Sequence, residues 1–200
     1  MNRTAYNAIS AQWDAARVSF FGREREYIDT FLADLPPSSS ILDAGCGTGR
    51  PMAEYVIAHG HQVTGVDQSE ELLAIARQRY PQARWIHSSL EQYEFDGCQQ
   101  GVICWDSLFH IERSHHKPIL SRISHSLPSG GRIMLTVGGS DHPAFTDSMF
   151  EQQFFYDSYP PQKVLEILGN LGFIILISEF MNKPTSGRDK GRYAIVAKKA

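Results

Sequence analysis

The chain has little that would tether it covalently or to a membrane. Its three cysteines, Cys46, Cys98 and Cys104, are odd in number and lack metal-ligand spacing. That argues against a disulfide framework and a zinc site and points to a reducing, cytoplasmic setting. No apolar run reaches membrane-spanning length. The first residues run from Met1-Asn2-Arg3-Thr4 through Trp13-Asp14 to the charge cluster Arg23-Glu24-Arg25-Glu26 and contain no signal-peptide core. Net charge is small as well: a formal −3 leaves no field that would hold a polyanion by counterion release, so nothing favours generic nucleic-acid binding. Internal repeats and low-complexity stretches are absent. What remains, 200 residues of which 42% are hydrophobic and 20% charged, suits one domain over 1–200 with a buried core of its own.

The pattern that is present begins with helices. Ile9, Trp13, Ala16 and Phe20 recur at helical spacing, Tyr27, Ile28, Phe31 and Leu32 repeat it, and Pro36-Pro37 ends it, which predicts two helices forming a cap over residues 1–36. From Ser40 short apolar runs alternate with helical ones, the layout of a parallel sheet covered by helices. Strands are expected at Ile41–Ala44, Gln62–Val66, Arg84–His87, Val102–Trp105 and Arg132–Val137. Helices are expected from Arg50 to His59, with Pro51 in the first turn and Gly60 as the left-handed stop, then from the capping residue Ser69, from Pro118 to Leu127 and from Gln162 to Leu171. Two further strands, Ile174–Phe180 and Tyr193–Ala197, are separated by a polar loop with no helix, which favours an antiparallel hairpin and a mixed sheet.

The most informative stretch is Ile41-Leu42-Asp43-Ala44-Gly45-Cys46-Gly47-Thr48-Gly49-Arg50, an apolar strand that runs into three alternate glycines and then a helix. Glycines are needed where backbone must turn sharply and lie against a ligand without a Cβ in the way. A dinucleotide site wants Gly-x-Gly-x-x-Gly, and position 50 is Arg. Asp43 ahead of the glycines is ill placed beside a pyrophosphate and well placed beside a cation. A tight strand-to-helix turn with no ligand is the plainer alternative.

Asp-Ala-Gly-Cys-Gly-Thr-Gly, residues 43–49, resembles the first motif of class I S-adenosylmethionine-dependent methyltransferases. Asp67, in Val63-Thr64-Gly65-Val66-Asp67-Gln68-Ser69, stands where that family places a ribose-binding acid, and a carboxylate there can accept from both hydroxyls of a ribose. Asp106-Ser107-Leu108-Phe109-His110-Ile111, Leu127-Pro128-Ser129-Gly130-Gly131-Arg132 and Gly169-Asn170-Leu171-Gly172-Phe173 resemble later motifs in the right order. The chain departs from the pattern at Ser89, followed by Leu90, where the family usually has an acid for the adenine amino group, and at Gln100, where it commonly has Asp. The resemblance implies an α/β fold, a three-layer Rossmann-like doubly wound sheet of seven mostly parallel strands with the last antiparallel. It also implies S-adenosyl-L-methionine as cofactor, with S-adenosyl-L-homocysteine as product. The implied cofactor site is Asp43, Gly45, Cys46, Gly47, Gly49 and Arg50, then Asp67 and Gln68, then Ser89 and Leu90, and Trp105. No metal is required.

If the acceptor needs a base, Asp106, His110 and Tyr156 are the candidates in that order; each has a plainer reading as a turn cap or packed residue. His115-His116 reads as a solvated helix cap and not as a metal site. The aromatic segment Phe145, Met149, Phe150, Phe154, Phe155, Tyr156 and Tyr159 makes 138–161 either a lid insertion or an added helix. Tyr6, Trp13 and Phe21 could close the same mouth from the other side, which would form an apolar acceptor pocket. Arg188, Lys190 and Arg192 read as a solvated basic loop. The expected function is methyl transfer to a small-molecule acceptor by a monomer or homodimer. The rivals are transfer to tRNA or protein and a non-catalytic S-adenosylmethionine-binding module. No Asn-Pro-Pro-Tyr signature of amino-methyltransferases follows the fourth strand.

Overall fold

The computed structural model describes residues 1–186 and 189–200; Arg188 of the basic loop lies outside them. Three helices, α1 (Asn2–Ala8), α2 (Ser10–Ala16) and α3 (Glu24–Leu32), precede β1 (Ser40–Ala44). Then come α4 (Met52–Ala58), β2 (Gln62–Asp67), α5 (Glu70–Arg79), β3 (Arg84–His87), β4 (Gly101–Cys104), α6 (Arg113–Ser126) and β5 (Arg132–Gly138). A hairpin of β6 (Phe145–Met149) and β7 (Gln152–Tyr156), α7 (Pro161–Asn170), β8 (Phe173–Asn182) and β9 (Arg192–Lys199) complete the chain.

Seven strands form one sheet in the order β3-β2-β1-β4-β5-β9-β8, with β1 to β5 parallel and β9 antiparallel to both β5 and β8. This is the mixed sheet expected from the helix-free connection between the last two strands. Successive core residues on a strand point to opposite faces, and both faces are covered. Leu42, Val102 and Ile133 pack under α6 and α7, while Ile41, Ile103 and Met134 pack under α3, α4 and α5. That double burial is why the parallel strands read as unbroken apolar runs.

The sequence expectations miss in four places. The cap has three helices before the sheet, not two, because the chain breaks at Ile9, whose side chain is buried among Tyr6, Leu72 and Phe154. The break lets α1 lie against β7 while α2 lies against α5. Helix α6 starts five residues earlier than Pro118, which sits inside it. Its N-terminus is capped from a distance: the Arg113 amide donates to Asp157 Oδ2 at 2.8 Å, a signal no local pattern carries. His116 is therefore in that helix and fully buried, with Nε2 donating to the Ile111 carbonyl, not a solvated cap. Finally, residues 145–156 form a hairpin, so the helical alternative for 138–161 is wrong; β-branching and aromatics at Thr146, Phe154, Phe155 and Tyr156 suit a strand.

Candidate functional site

The carboxyl ends of β1, β2 and β4 lie side by side, with Asp43 in register with Gly65 and Ile103. The glycine turn leaves β1 at that edge. Gly45 has φ +90°, and a Cβ on it would stand 2.2 Å from Ser107 Cβ, so glycine is needed both for the left-handed backbone and for the close approach of the next loop. Ser107 in turn donates to the Ala44 carbonyl at 2.7 Å. At Gly47 a Cβ would come to 3.4 Å from the indole nitrogen of Trp13, which lies over the turn from the cap.

Asp67 closes the turn from the next strand. Its Oδ2 accepts from the Gly47 amide at 2.9 Å and its Oδ1 from the Ser69 amide at 2.8 Å, which leaves one lone-pair direction on each oxygen. Burial raises its carboxyl above the ordinary range while these amide bonds pull the other way. Asp43 has no such help. Its side chain makes no hydrogen bond among the described residues, and burial, followed by the neighbouring Asp67 charge, pushes its carboxyl up to about 7. A buried, unpartnered carboxylate is costly unless a cation is to come beside it. Cys46 is buried within the turn, and its thiol is pushed well up by burial and by the two aspartates, so it is inert as a nucleophile.

These groups bound a cavity of about 450 Å³. Of the residues expected at a cofactor site, Asp43, Gly45, Cys46, Gly47, Arg50, Asp67, Gln68, Ser89, Leu90 and Trp105 all line it, and Gly49 does not. Gly49 has φ +81° and packs against Tyr80 and Trp85 behind the turn. A second cavity of about 540 Å³ is lined by Phe109, Phe145, Met149, Tyr156 and Arg192. Tyr6, Trp13, Asp106 and His110 line both and form the waist between them.

A family described as a methyltransferase domain matches residues 41–131, the stretch that holds the glycine turn, Asp67, Ser89 and the Asp106 loop. Over that stretch the chain is similar to methyltransferase domains. It is 29% identical over 156 residues to the Bacillus subtilis protein YqeM, named a methyltransferase, covering 72% of this chain and 63% of that one. It is 29% identical over 138 residues to the O-methyltransferase cnsE of Penicillium expansum, covering 66% and 49%. The chain thus spans less than two thirds of the length of these relatives. The crystal structure of Burkholderia thailandensis 1,6-didemethyltoxoflavin-N1-methyltransferase, with 1,6-didemethyltoxoflavin and S-adenosylhomocysteine bound, superposes with a TM-score of 0.67 at 23% identity, over 99% of this chain and 90% of that one. It shows the fold.

Within this methyltransferase fold the three base candidates are all engaged or protonated. Asp106, at φ +52° just beyond β4, takes Arg192 Nη2 on Oδ1 and Oδ2 at 2.6 and 2.5 Å, and its Oδ1 also accepts from Arg192 Nε and from the Thr136 hydroxyl, each at 3.1 Å. His110 donates from Nδ1 to the Phe155 carbonyl at 3.0 Å, so its Nε2 is bare and accepts from the Tyr6 hydroxyl at 3.0 Å. Burial lowers its pKa and keeps it neutral. Tyr156 has its phenol pushed up by burial and by Asp106, and its hydroxyl makes no hydrogen bond among the described residues.

Sequence reasoning missed the charges that brace this site. Glu24, fully buried, accepts twice from Arg17 Nη2 at 2.8 Å, from the Trp105 indole at 2.9 Å and from the Phe21 amide at 2.9 Å. Arg192 Nη2 lies 3.6 Å from the same carboxylate. Arg192 is therefore an inward-facing group and not part of a solvated loop. Nothing in the one-dimensional pattern separates Glu24 from the exposed charges around it. Phe21, expected at the mouth, is half exposed outside the helices and lies under the Arg17 guanidinium.

Proposed function

We propose that the chain is a methyltransferase that holds S-adenosyl-L-methionine in the inner cavity and passes its methyl group through the waist to a small molecule in the outer one. The observation that carries this reading is the pair of cavities meeting at Tyr6, Trp13, Asp106 and His110. The residues fit the cofactor: Asp43 is an unpartnered buried carboxylate suited to an ammonium or sulfonium, Asp67 offers lone pairs to two ribose hydroxyls, and Ser89 with Leu90 lines the end left for adenine. The cofactor supplies an already activated methyl group, so the protein's work is alignment and exclusion of water. Tyr6 and Trp13 of the cap cover the waist, and Arg192 with Thr136 fixes Asp106 beside it. That the outer cavity holds a few hundred cubic ångströms with aromatic walls supports a small acceptor over a macromolecule. The Burkholderia protein, which holds 1,6-didemethyltoxoflavin on the same fold, is in keeping with it.

The same reading takes the chain as one domain acting as a monomer or homodimer in the cytoplasm. The three free thiols support that compartment, and no helix among the described residues is long and apolar enough to cross a membrane. Calorimetric titration with S-adenosylmethionine and S-adenosylhomocysteine tests the first half, and an acceptor screen reading S-adenosylhomocysteine release tests the second. Binding of neither nucleoside would sink the proposal; binding without turnover of any acceptor would leave only a binding module.

A further inference from the structure

Two side chains at the waist form a hydrogen-bonded chain with an open end. The Phe155 carbonyl can only accept, so its 3.0 Å bond with His110 Nδ1 places the imidazole proton there and leaves Nε2 with a lone pair. That lone pair receives the Tyr6 hydroxyl at 3.0 Å. The Tyr6 oxygen has given its one proton to that bond and keeps its own lone pairs, and Tyr6 lines both cavities. The pair is also held from behind. Asn2, buried one helical turn before Tyr6 on α1, donates to the carbonyls of Phe155 at 2.9 Å and His110 at 3.2 Å and accepts from the Phe155 amide at 2.7 Å. It ties the cap, β7 and the loop after β4 into one frame. The Tyr6 ring is packed edge-on by Trp13 and Phe154, with centroids at 5.5 and 4.8 Å. A hydroxyl bonded to an imidazole that a third group orients is an arrangement that can take up a proton and pass it on.

Other groups near the waist also have lone pairs. Asp157, Asp189 and the Tyr156 hydroxyl line the outer cavity alone, and Asp106, which lines both, carries Arg192 and Thr136 on its carboxylate. Tyr6 differs from Tyr156 in having an acceptor behind it, so a proton that reaches its oxygen has somewhere to go. Burial pushes the Tyr6 phenol well above its ordinary value, and the ring therefore has to lose its own proton as it gains another. Burial also lowers His110, which keeps Nε2 bare at neutral pH. Resting on the methyltransferase reading, we propose that Tyr6 and His110 form a proton relay for an acceptor that still carries its proton, a hydroxyl or an amine N–H, set at the waist against the Tyr6 oxygen. The acceptor's lone pair forms the bond to the methyl carbon as the carbon–sulfur pair returns to sulfur. In the same step the acceptor's proton passes to Tyr6 Oη and the Tyr6 proton passes to His110 Nε2. With a neutral acceptor the positive charge that leaves sulfur thus ends on the imidazolium, where the Phe155 carbonyl and the nearby Asp106 carboxylate favour it. Once the product leaves, the proton returns to solvent through the same two atoms.

The test uses the full chain at neutral pH. Small phenols, alcohols and amines are screened with S-adenosylmethionine for S-adenosylhomocysteine release, beside 4-nitrobenzenethiol, which is ionised under these conditions and has no proton to give up. Tyr6→Phe and His110→Gln are each expected to lower kcat with the proton-bearing acceptors by about 100-fold, and to lower it far less with the thiolate. Glutamine can accept the Tyr6 hydrogen bond but not its proton, so a bond that only fastens the cap would survive His110→Gln. A normal rate in either variant would overturn the proposal, as would equal losses for the thiolate and the proton-bearing acceptors, or turnover of the thiolate alone. All of these leave the methyltransferase reading standing. Binding of S-adenosylmethionine with no turnover across the panel would also overturn the relay and leave a binding module. If S-adenosylhomocysteine and S-adenosylmethionine both fail to bind, the methyltransferase reading and the relay fall together.

Discussion

The inner and outer cavities are built in opposite ways. The floor of the inner one is made by neighbours in sequence: Asp43 to Arg50 make the turn, and Asp67 one strand on ties it by a bond to Gly47, while Tyr6, Trp13, Ser89 and Trp105 close the remaining walls. The waist and outer cavity draw Tyr6 and Trp13 from the cap, Asp106 and His110 from the β4 exit, Tyr156 from a hairpin and Arg192 from the last strand. The lesson is that a turn can be built by a local device whose spacing is fixed. A cavity walled from remote segments depends on what the connections between strands bring together.

The contrast can be broken most forcefully at the turn. Gly45→Val places a branched side chain where a Cβ already meets Ser107 at 2.2 Å, on a backbone at φ +90°. It is expected to cost more than about 3 kcal/mol of stability and to abolish cofactor uptake. Denaturant unfolding with calorimetry measures both, and a Gly45→Val protein that folds and binds normally would show the turn to be plastic. Asp67→Ala comes next, with affinity for S-adenosylhomocysteine falling roughly 100-fold, since two bonds from a ribose to a charged acceptor and the backbone bonds from Gly47 and Ser69 are lost together. A loss under about fivefold would remove Asp67 from the ribose role.

A third effect is a pH dependence confined to the inner half. Asp43 binds its proton more tightly folded, with a pKa of about 7, than unfolded, at 3.8. The folded state therefore carries more protons between those values, and the ligand-free protein loses stability as pH rises through that window, by on the order of a few kcal/mol at most. Asp43→Asn should flatten that slope in urea melts at several pH values. A slope unchanged in the variant would assign the dependence elsewhere. The smallest effect belongs to the cap, where Asp14 pairs with Arg79 through two bonds of 2.7 and 2.8 Å in a partly buried setting. Asp14→Asn is expected to lower stability by about 1 kcal/mol and to speed release of S-adenosylhomocysteine, read by stopped-flow fluorescence of Trp13. An unaltered release rate would show that the cap does not fasten the inner cavity.

How much could be read from the chain follows the same division. Asp43, Gly45, Gly47 and Asp67 stand out in the sequence because the turn is contiguous and the acid follows one strand on, and the mixed sheet follows from alternating apolar runs and a missing crossover helix. The break at Ile9 did not, because the spacing of Ile9, Trp13 and Ala16 is as good for one helix as for two, and only burial among Leu72 and Phe154 decides it. The start of α6 was misplaced because its cap, Asp157, is 44 residues away. Arg192 looked like one of several loop cations, and only its pairing with Asp106 across 86 residues turns it inward.

The position of β9 has a bearing on synthesis. It pairs with β5 on one side and β8 on the other, so the strand made last occupies a slot between two made earlier. A nascent chain on the ribosome holds that slot open, with Met134 and Leu135 lacking the cross-strand cover of Val196 and Ile195, until residues 192–199 emerge. A chain that stopped after Asn182 and before Arg192 would thus leave β5 and β8 without the strand that joins them, two raw edges that make it a species for chaperones and proteases.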